Sequence, residues 1–283
     1  MKGIILSGGS GTRLYPITKV ITKQLIPVYD KPMIYYPLST LMEFKIRDIL
    51  LIVKPGDLKI FKSLLGDGDQ FGIKISYKIQ DKPRGIAESF LIGQNFIGKS
   101  NVCLILGDNI FHGIPYDQIL PNNSQFKGAK IILYKVLDPE RYGVAKFNHN
   151  KNIIKIVEKP KKFISNYAVT GIYFYDHKII KYANKLKPSK RNELEITDIN
   201  NEYIKDKKLD YFKIRPGGVW LDAGTEKSLL QSSLFIQTMQ ERQNIQISSP
   251  EIIAYKNGWI SKKKLMSSVS NINNSYTSFL KNL

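Results

Sequence analysis

Short apolar runs alternate with helix-length stretches over the first 106 residues, and this alternation limits the possible folds more than any other feature of the chain. Residues 2–6 and 48–53 are apolar runs rich in isoleucine and leucine, with helical spacing over 35–44 between them. The same reading predicts a helix over 57–65, a strand over 73–79, a helix over 86–96 and a strand over 101–106. Strand, crossover and strand in succession build a largely parallel sheet covered by helices on both faces, so the fold class is α/β. Beyond Lys127 the strand candidates crowd together at 129–137, 143–147, 152–158 and 168–175, and some of these are expected to be antiparallel. A helix over 193–203, a strand over 209–214 and a longer helix over 226–239 follow, and the tail from Gln243 onward reads as an appendage.

Several classes of protein are excluded by composition. With 283 residues, 42% of them hydrophobic and 24% charged, the chain can bury a large core and carries neither repeats nor low-complexity blocks. Its longest apolar runs fall far short of the ~20 residues that cross a bilayer, so no membrane role is expected. The start, Met1-Lys2-Gly3 and then only Ile4-Ile5-Leu6, has no signal-peptide h-region, and a cytoplasmic location is expected. The single cysteine, Cys103, stands between Val102 and Leu104 and reads as a small core residue. His112, His149 and His177 are scattered and lack cysteine partners at ligand spacing, which argues against zinc. A net charge of +19 raises the question of nucleic acid, but the lysines are dispersed and no nucleic-acid-binding motif accompanies them. The reading is a solvated lysine-rich surface, no nucleic-acid partner, and a field that draws in phosphorylated substrates.

The loop LSGGSGTRLYPIT at 6–18 follows the first apolar run and fits neither familiar phosphate motif. A dinucleotide fingerprint fails because Leu14 stands where the third glycine belongs, and a P-loop fails because the first lysine after the glycines, Lys19, lies beyond Pro16. Successive glycines still let backbone N–H groups approach a phosphate, and Arg13 adds a permanently charged fork. In an open α/β sheet this loop and the Gly107-Asp108-Asn109 turn after the 101–106 strand both fall where ligands bind.

Read together with the next segment, TKQLIPVYDKPMIYYPL at 22–38, the loop resembles the sugar-nucleotide pyrophosphorylases, whose signature is G-G-x-G-T-R-L followed by K-x-L-x-P. Gly8, Gly9, Gly11, Thr12, Arg13 and Leu14 match the first part, and Lys23, Leu25 and Pro27 the second. The segments LGDNIF, VLDPERYGVAKF, EKPKKFISNYAVTGIYFYD, ELEITDIN and WLDAGT narrow the resemblance to the glucose-1-phosphate thymidylyltransferases, over residues 1 to about 255.

The resemblance implies a Rossmann-like nucleotide-diphospho-sugar transferase fold with a mixed, mostly parallel central sheet. It divides the chain into a core at 1–226 and a helical appendage at 227–283 that makes subunit contacts in a homotetramer. The implied reaction is Mg²⁺-dependent: glucose 1-phosphate attacks dTTP, giving dTDP-glucose and pyrophosphate, the first step of dTDP-rhamnose or other deoxysugar synthesis. Arg13, Lys23, Asp108, Lys159 and Asp222 would be catalytic, with Asp108 and Asp222 holding the metal. The nucleotide would be bound by Leu6, Gly8, Gly9, Gly11, Thr12, Arg13, Lys23, Gln24 and Asp108, with Gln80 and Gly85 at the thymine. Asn109, Tyr142, Gly143, Glu158, Lys159, Val169 and Thr170 would hold the sugar phosphate. The alternatives are transfer from UTP or another triphosphate to a related sugar phosphate, and a non-catalytic sugar-nucleotide-binding subunit.

The chain departs from the family pattern at KPRGIAES, 82–89, where the usual form is nearer S-P-D-G-L-A-Q-A. Arg84 replaces an acid and Glu88 an amide beside the expected base pocket.

Overall fold

The structure, a computed structural model, describes residues 1–9, 11–120 and 126–282; Ser10, inside the glycine loop, and Leu283, at the end of the tail, lie outside them. Four parallel strands form one half of the main sheet: β1 (Lys2–Ser7), β2 (Asp48–Val53), β3 (Lys74–Ile79) and β4 (Val102–Leu106). Each is six residues or shorter; β1, β2 and β4 are largely buried on both sides, as expected for strands with helices on both faces, while β3 lies at the sheet edge with Lys74, Lys78 and Ile79 exposed. Ile5, Leu51, Val53, Cys103 and Ile105 turn to one core, while Ile4, Leu50, Ile52, Val102 and Leu104 turn to the other. Helices α1 (Tyr35–Glu43) and α2 (Leu58–Leu65) close the first core, and α3 (Glu88–Ile92) packs on the second.

The strand order places the site. β1 pairs with β2 on one edge and with β4 on the other, and the chain moves outward through β2 and β3 before returning to β4. That reversal between β1 and β4 is a topological switch point, where the loops beyond the strand ends diverge and leave a crevice.

A short strand β5 (Asn109–His112) follows β4. The other half of the nine-stranded sheet contains β6 (Ala129–Lys135), β7 (Gly143–Phe147), β8 (Ile153–Glu158) and β9 (Tyr167–Tyr175). β9 runs antiparallel to β4 through Ile172–Tyr175, meets β7 at Ala168, and keeps β6 on its other edge. Its register with β6 shifts between Val169 and Tyr173, so the strand leaves one neighbour for another around Gly171. Helix α4 (Ile196–Lys205) covers this half, and β10 (Leu209–Lys213) adds parallel to β6. β11 (Val219–Asp222) returns to pair antiparallel with β5 as a two-stranded ribbon beside the sheet.

The remainder is helical: α5 (Glu226–Gln243), α6 (Pro250–Lys256), α7 (Lys262–Val269) and α8 (Ser275–Lys281). Ile252, Ile253, Leu265, Val269 and Leu280 join the same core as α1. α5 starts with a capping box in which Thr225 accepts from the Ser228 N–H and Ser228 answers the Thr225 N–H.

Two sequence expectations need correction. The helix over 86–96 is interrupted at Gly93, whose missing side chain leaves room for Ile4 and Leu50, and continues as a single turn at Gln94–Ile97. The helix expected to start at 193 starts at Ile196, after Arg191, Glu193 and Glu195, which border the site described below.

Cys103 is fully buried in β4, and burial pushes its thiol well above its ordinary pKa. A disulfide-exchange reagent is therefore expected to leave the native protein unmodified and to titrate one thiol per chain after denaturation. Rapid reaction of the folded protein would contradict this placement.

Candidate active site

Parallel pairing of β1 and β4 brings the glycine loop and the Gly107-Asp108 turn side by side, and Gly107 N–H donates to the Leu6 carbonyl at 3.0 Å. No side chain fits at Gly107, where a Cβ would fall 2.5 Å from Ser7 Oγ. Gly11 adopts φ +66° and opens the single 3₁₀ turn Thr12–Leu14, which buries Leu14 and leaves Arg13 outside. A Cβ at Gly9 would meet nothing within 4 Å, so the loop amides border open space.

Two hollows meet here. One of about 260 Å³ is bordered by Leu6, Gly9, Gly11, Thr12, Lys23 and Gln24. The other, about 610 Å³, is bordered by Asn109, Tyr142, Gly143, Glu158, Lys159 and Val169. Arg13, Ile86, Leu106 and Asp108 belong to both. Most of the residues expected for the nucleotide and most of those expected for the sugar phosphate thus line separate chambers that share a wall carrying Arg13 and Asp108.

Asp108 and Asp222 converge at that wall. Asp222 lies opposite Asn109 in the β5–β11 register, and Ala223 N–H donates to the Asp108 carbonyl at 3.1 Å. Lys23, almost fully buried, forms an ion pair with Asp108. Burial alone would raise the Asp108 carboxyl, but the Lys23 ammonium and hydrogen bonds from Lys23 and Asn109 hold it below the usual carboxylate range. Asp222 is displaced the other way: burial and the facing Asp108 charge raise it, against Lys23, Arg13 and Arg141. Two carboxylates that repel across one space, beside cations, suit a small hard cation. Among the described residues no group of three or more His, Cys, Asp or Glu side chains could hold a metal. An ion at Asp108 and Asp222 would therefore take its other ligands from phosphate oxygens and water, which fits Mg²⁺.

Asn109 fixes this arrangement from inside. Its Oδ1 accepts from Gly171 N–H at 3.0 Å and from Trp220 Nε1 at 2.6 Å, while its Nδ2 donates to Asp108 Oδ1 at 2.9 Å. Gly171 must lack a side chain, since a Cβ there would fall 2.4 Å from Asn109 Oδ1.

On the sugar-phosphate side, Glu158 ends β8 and accepts from Thr197 Oγ1 at 2.8 Å, with Arg191 at 3.4 Å. Lys159 follows with φ +43°, a backbone conformation costing a non-glycine residue about 1–3 kcal/mol and found preferentially at functional sites. Its N–H donates to the Tyr142 carbonyl at 2.9 Å, which joins the two segments.

Most of the residues singled out in the sequence line one hollow or the other; four do not. Gly8 stands behind the smaller hollow against Gln80, where a Cβ would fall 2.0 Å from Gln80 Oε1. Gly85, at φ +102°, is locked against the Leu194 backbone and brings its neighbour Ile86 to the wall. Thr170 is not brought to the site by its side chain, because its hydroxyl donates to the Ile132 carbonyl at 3.1 Å on the opposite face of β9; Gly171 lines the hollow instead. Sequence reasoning missed Arg141, Arg191, Thr197 and Trp220, all bordering the larger hollow. Arg141, 3.8 Å from Asp222, had one signal, its place in the family-like segment VLDPERYGVAKF. Arg191 had none.

Against known proteins, residues 2–239 match the nucleotidyl transferase family, and the chain belongs to it. Among its relatives is the glucose-1-phosphate thymidylyltransferase of Neisseria meningitidis serogroup A, 54% identical across 94% of this chain and 92% of the relative. A Bacillus anthracis chain assigned as a glucose-1-phosphate thymidylyltransferase, solved in complex with a sucrose, superposes with a TM-score of 0.78 at 47% identity over 83% of this chain and 94% of that one. A UDP-glucose pyrophosphorylase complexed with UDP-glucose superposes at 0.73 with 25% identity, over 84% and 98%. The resemblance read from the sequence and the α/β fold class are both borne out.

Gly171→Ala should force Asn109 out of its three hydrogen bonds and destabilise the protein by about 2 kcal/mol, lowering Tm by roughly 5 °C. A thermal melt indistinguishable from that of the parent would contradict the close packing at this point.

Proposed function

We propose that the protein transfers the thymidylyl group of dTTP to α-D-glucose 1-phosphate, releasing pyrophosphate and forming dTDP-glucose. The observation that carries this reading is the wall of Arg13 and Asp108 common to two chambers, one glycine-rich and one lined by Glu158 and Lys159. The high identity to proteins named glucose-1-phosphate thymidylyltransferase favours dTTP over UTP as the donor.

In the proposed step an oxygen of the sugar phosphate attacks the α-phosphorus of dTTP. The new P–O bond forms as the bond to the bridging oxygen of the β-phosphate breaks, and pyrophosphate departs with that electron pair. Such chemistry requires alignment and charge neutralisation more than proton transfer. The glycine-loop amides and Arg13 bind the triphosphate, and Arg13 stays beside the departing pyrophosphate. Lys23 leaves Asp108 for a phosphate oxygen as the substrate enters. Lys159 holds the sugar phosphate, and Glu158, kept in place by Thr197, accepts from sugar hydroxyls. Asp108 and Asp222 would hold Mg²⁺, which supplies screening of the charge that builds on the α-phosphate.

Residues 1–226 act as the catalytic core in this reading, and 227–283 supply subunit contacts in a tetramer. Leu230 and Leu234, 61% and 52% exposed on α5, support that assignment as an uncovered apolar stripe.

The test is pyrophosphate release with glucose 1-phosphate and each nucleoside triphosphate in turn at equal Mg²⁺. dTTP is expected to give the highest kcat/KM, and a clear preference for a purine triphosphate would overturn the reading. Arg13→Ala should lower kcat by about 10²–10³-fold, the scale for one preorganised charge donor, in a protein that still melts normally. Chelation of divalent cations should abolish turnover and added Mg²⁺ restore it; full activity after exhaustive chelation would remove Asp108 and Asp222 from the proposed role.

A further inference from the structure

Among the described residues, no hydrogen bond and no ion pair holds the Arg13 guanidinium in place, although it stands at the wall common to both hollows. What it lies against is Gly224, a buried residue just beyond Asp222 that borders the smaller hollow. A Cβ on Gly224 would fall 3.0 Å from Arg13 Nη2, 3.3 Å from Arg13 Cζ and 2.8 Å from Asp222 Oδ1, inside the ~3.5–4 Å of an ordinary non-bonded contact. These three nearest atoms are all side-chain atoms, and the φ of Gly224 lies outside the left-handed region. The glycine is therefore required here for space and not for backbone conformation.

The backbone at 224 is pinned on both sides. Ala223 N–H is bonded to the Asp108 carbonyl at 3.1 Å, and Thr225 caps α5. Asp222 has little freedom either, since its side chain is 15% exposed and its Oδ2 faces Arg141 at 3.8 Å. Arg13 is exposed and unbonded, so it is the group that a methyl at 224 displaces. We infer that Gly224 is a positioning residue: its bare Cα is the seat on which the Arg13 guanidinium lies, and this seat keeps the charge at the junction of the two hollows as the triphosphate enters. The inference rests on the nucleotidyl-transfer reading above and deepens it, by assigning the placement of Arg13 to a residue that has no side chain.

A seat of this kind separates stability from turnover. The alanine of Gly224→Ala meets only side-chain ends, so the variant should melt within about 3 °C of the parent. Its kcat with dTTP and glucose 1-phosphate, at saturating Mg²⁺, should fall at least about tenfold, toward the loss expected of Arg13→Ala. KM for glucose 1-phosphate should stay within about threefold, because Glu158 and Lys159 are not among the atoms nearest a side chain at 224. The double variant Arg13→Ala/Gly224→Ala decides the route. Two residues that act through one group are non-additive, so adding Gly224→Ala to Arg13→Ala should lower kcat by less than about threefold more. A merely structural role, or an effect carried by Asp222, would multiply the two losses.

Multiplied losses in the double variant overturn the inference, and so does a kcat for Gly224→Ala within about threefold of the parent. A Gly224→Ala chain that does not fold overturns it as well, since the backbone and not Arg13 would then be giving way. If no triphosphate turns over in the parent, the enzymatic reading fails separately. The seat is then read from calorimetric binding of inorganic pyrophosphate without added metal, which leaves any metal held by Asp222 out of the comparison. Gly224→Ala and Arg13→Ala should each weaken that binding at least about fivefold, and the double variant should bind within about twofold of Arg13→Ala. Parent-like affinity in Gly224→Ala, or a parent that binds no pyrophosphate, overturns the inference.

Discussion

The side-chain amide of Asn109 ties three parts of the molecule together around the acidic pair. It binds the bend of β9 through Gly171, the β5–β11 ribbon through Trp220, and the Asp108 carboxylate at the end of β4. Without it a buried backbone N–H and an indole N–H would be left without partners, each at a cost of about 1–3 kcal/mol. The ribbon is only four residues on each strand and could not hold Asp222 against the sheet by its own pairing. The closeness of the two acidic side chains therefore rests on this hub together with the Ala223 N–H bond to the Asp108 carbonyl.

The site resolves its internal charge before any ligand arrives. Lys23 answers Asp108, Arg13 and Arg141 stand near Asp222, and Arg191 with Thr197 secures Glu158. Each cation can pass from a carboxylate to a phosphate, so an incoming triphosphate exchanges one set of counter-charges for another. Outside the site, the +19 surplus creates a field that favours the approach of multiply charged anions.

The fold was legible in the sequence wherever periodicity and burial agree. β1, β2 and β4 were readable because each is a short run buried on both faces, and α5 because its apolar positions recur over many turns. The β5–β11 ribbon was not readable, since its two strands are four residues each and more than a hundred residues apart. Asp108 and Arg13 could be found because they sit in compact motifs beside predicted strands, and Lys23 through the family-like K-x-L-x-P segment. Arg191 could not, because the irregular segment that carries it reaches the site only through tertiary packing; Thr197 lay within the family-like segment ELEITDIN, which gave no sign of which residue meets Glu158. Arg84 and Glu88 were seen as two separate departures, and only their contact in the folded chain reveals them as one paired change.

β9 carries a consequence for how this chain can vary. Its odd-numbered residues Val169, Gly171 and Tyr173 border the larger chamber, and its even-numbered residues Ala168, Ile172 and Phe174 enter the core shared with α1. Parity along this strand divides the chamber side, where Val169 and Tyr173 also join the second core, from the core shared with α1. A single inserted or deleted residue would turn chamber side chains into the core and core side chains into the chamber, whatever their identity. Natural length variation in such chains is therefore expected in the turns that flank 167–175 and not within the strand.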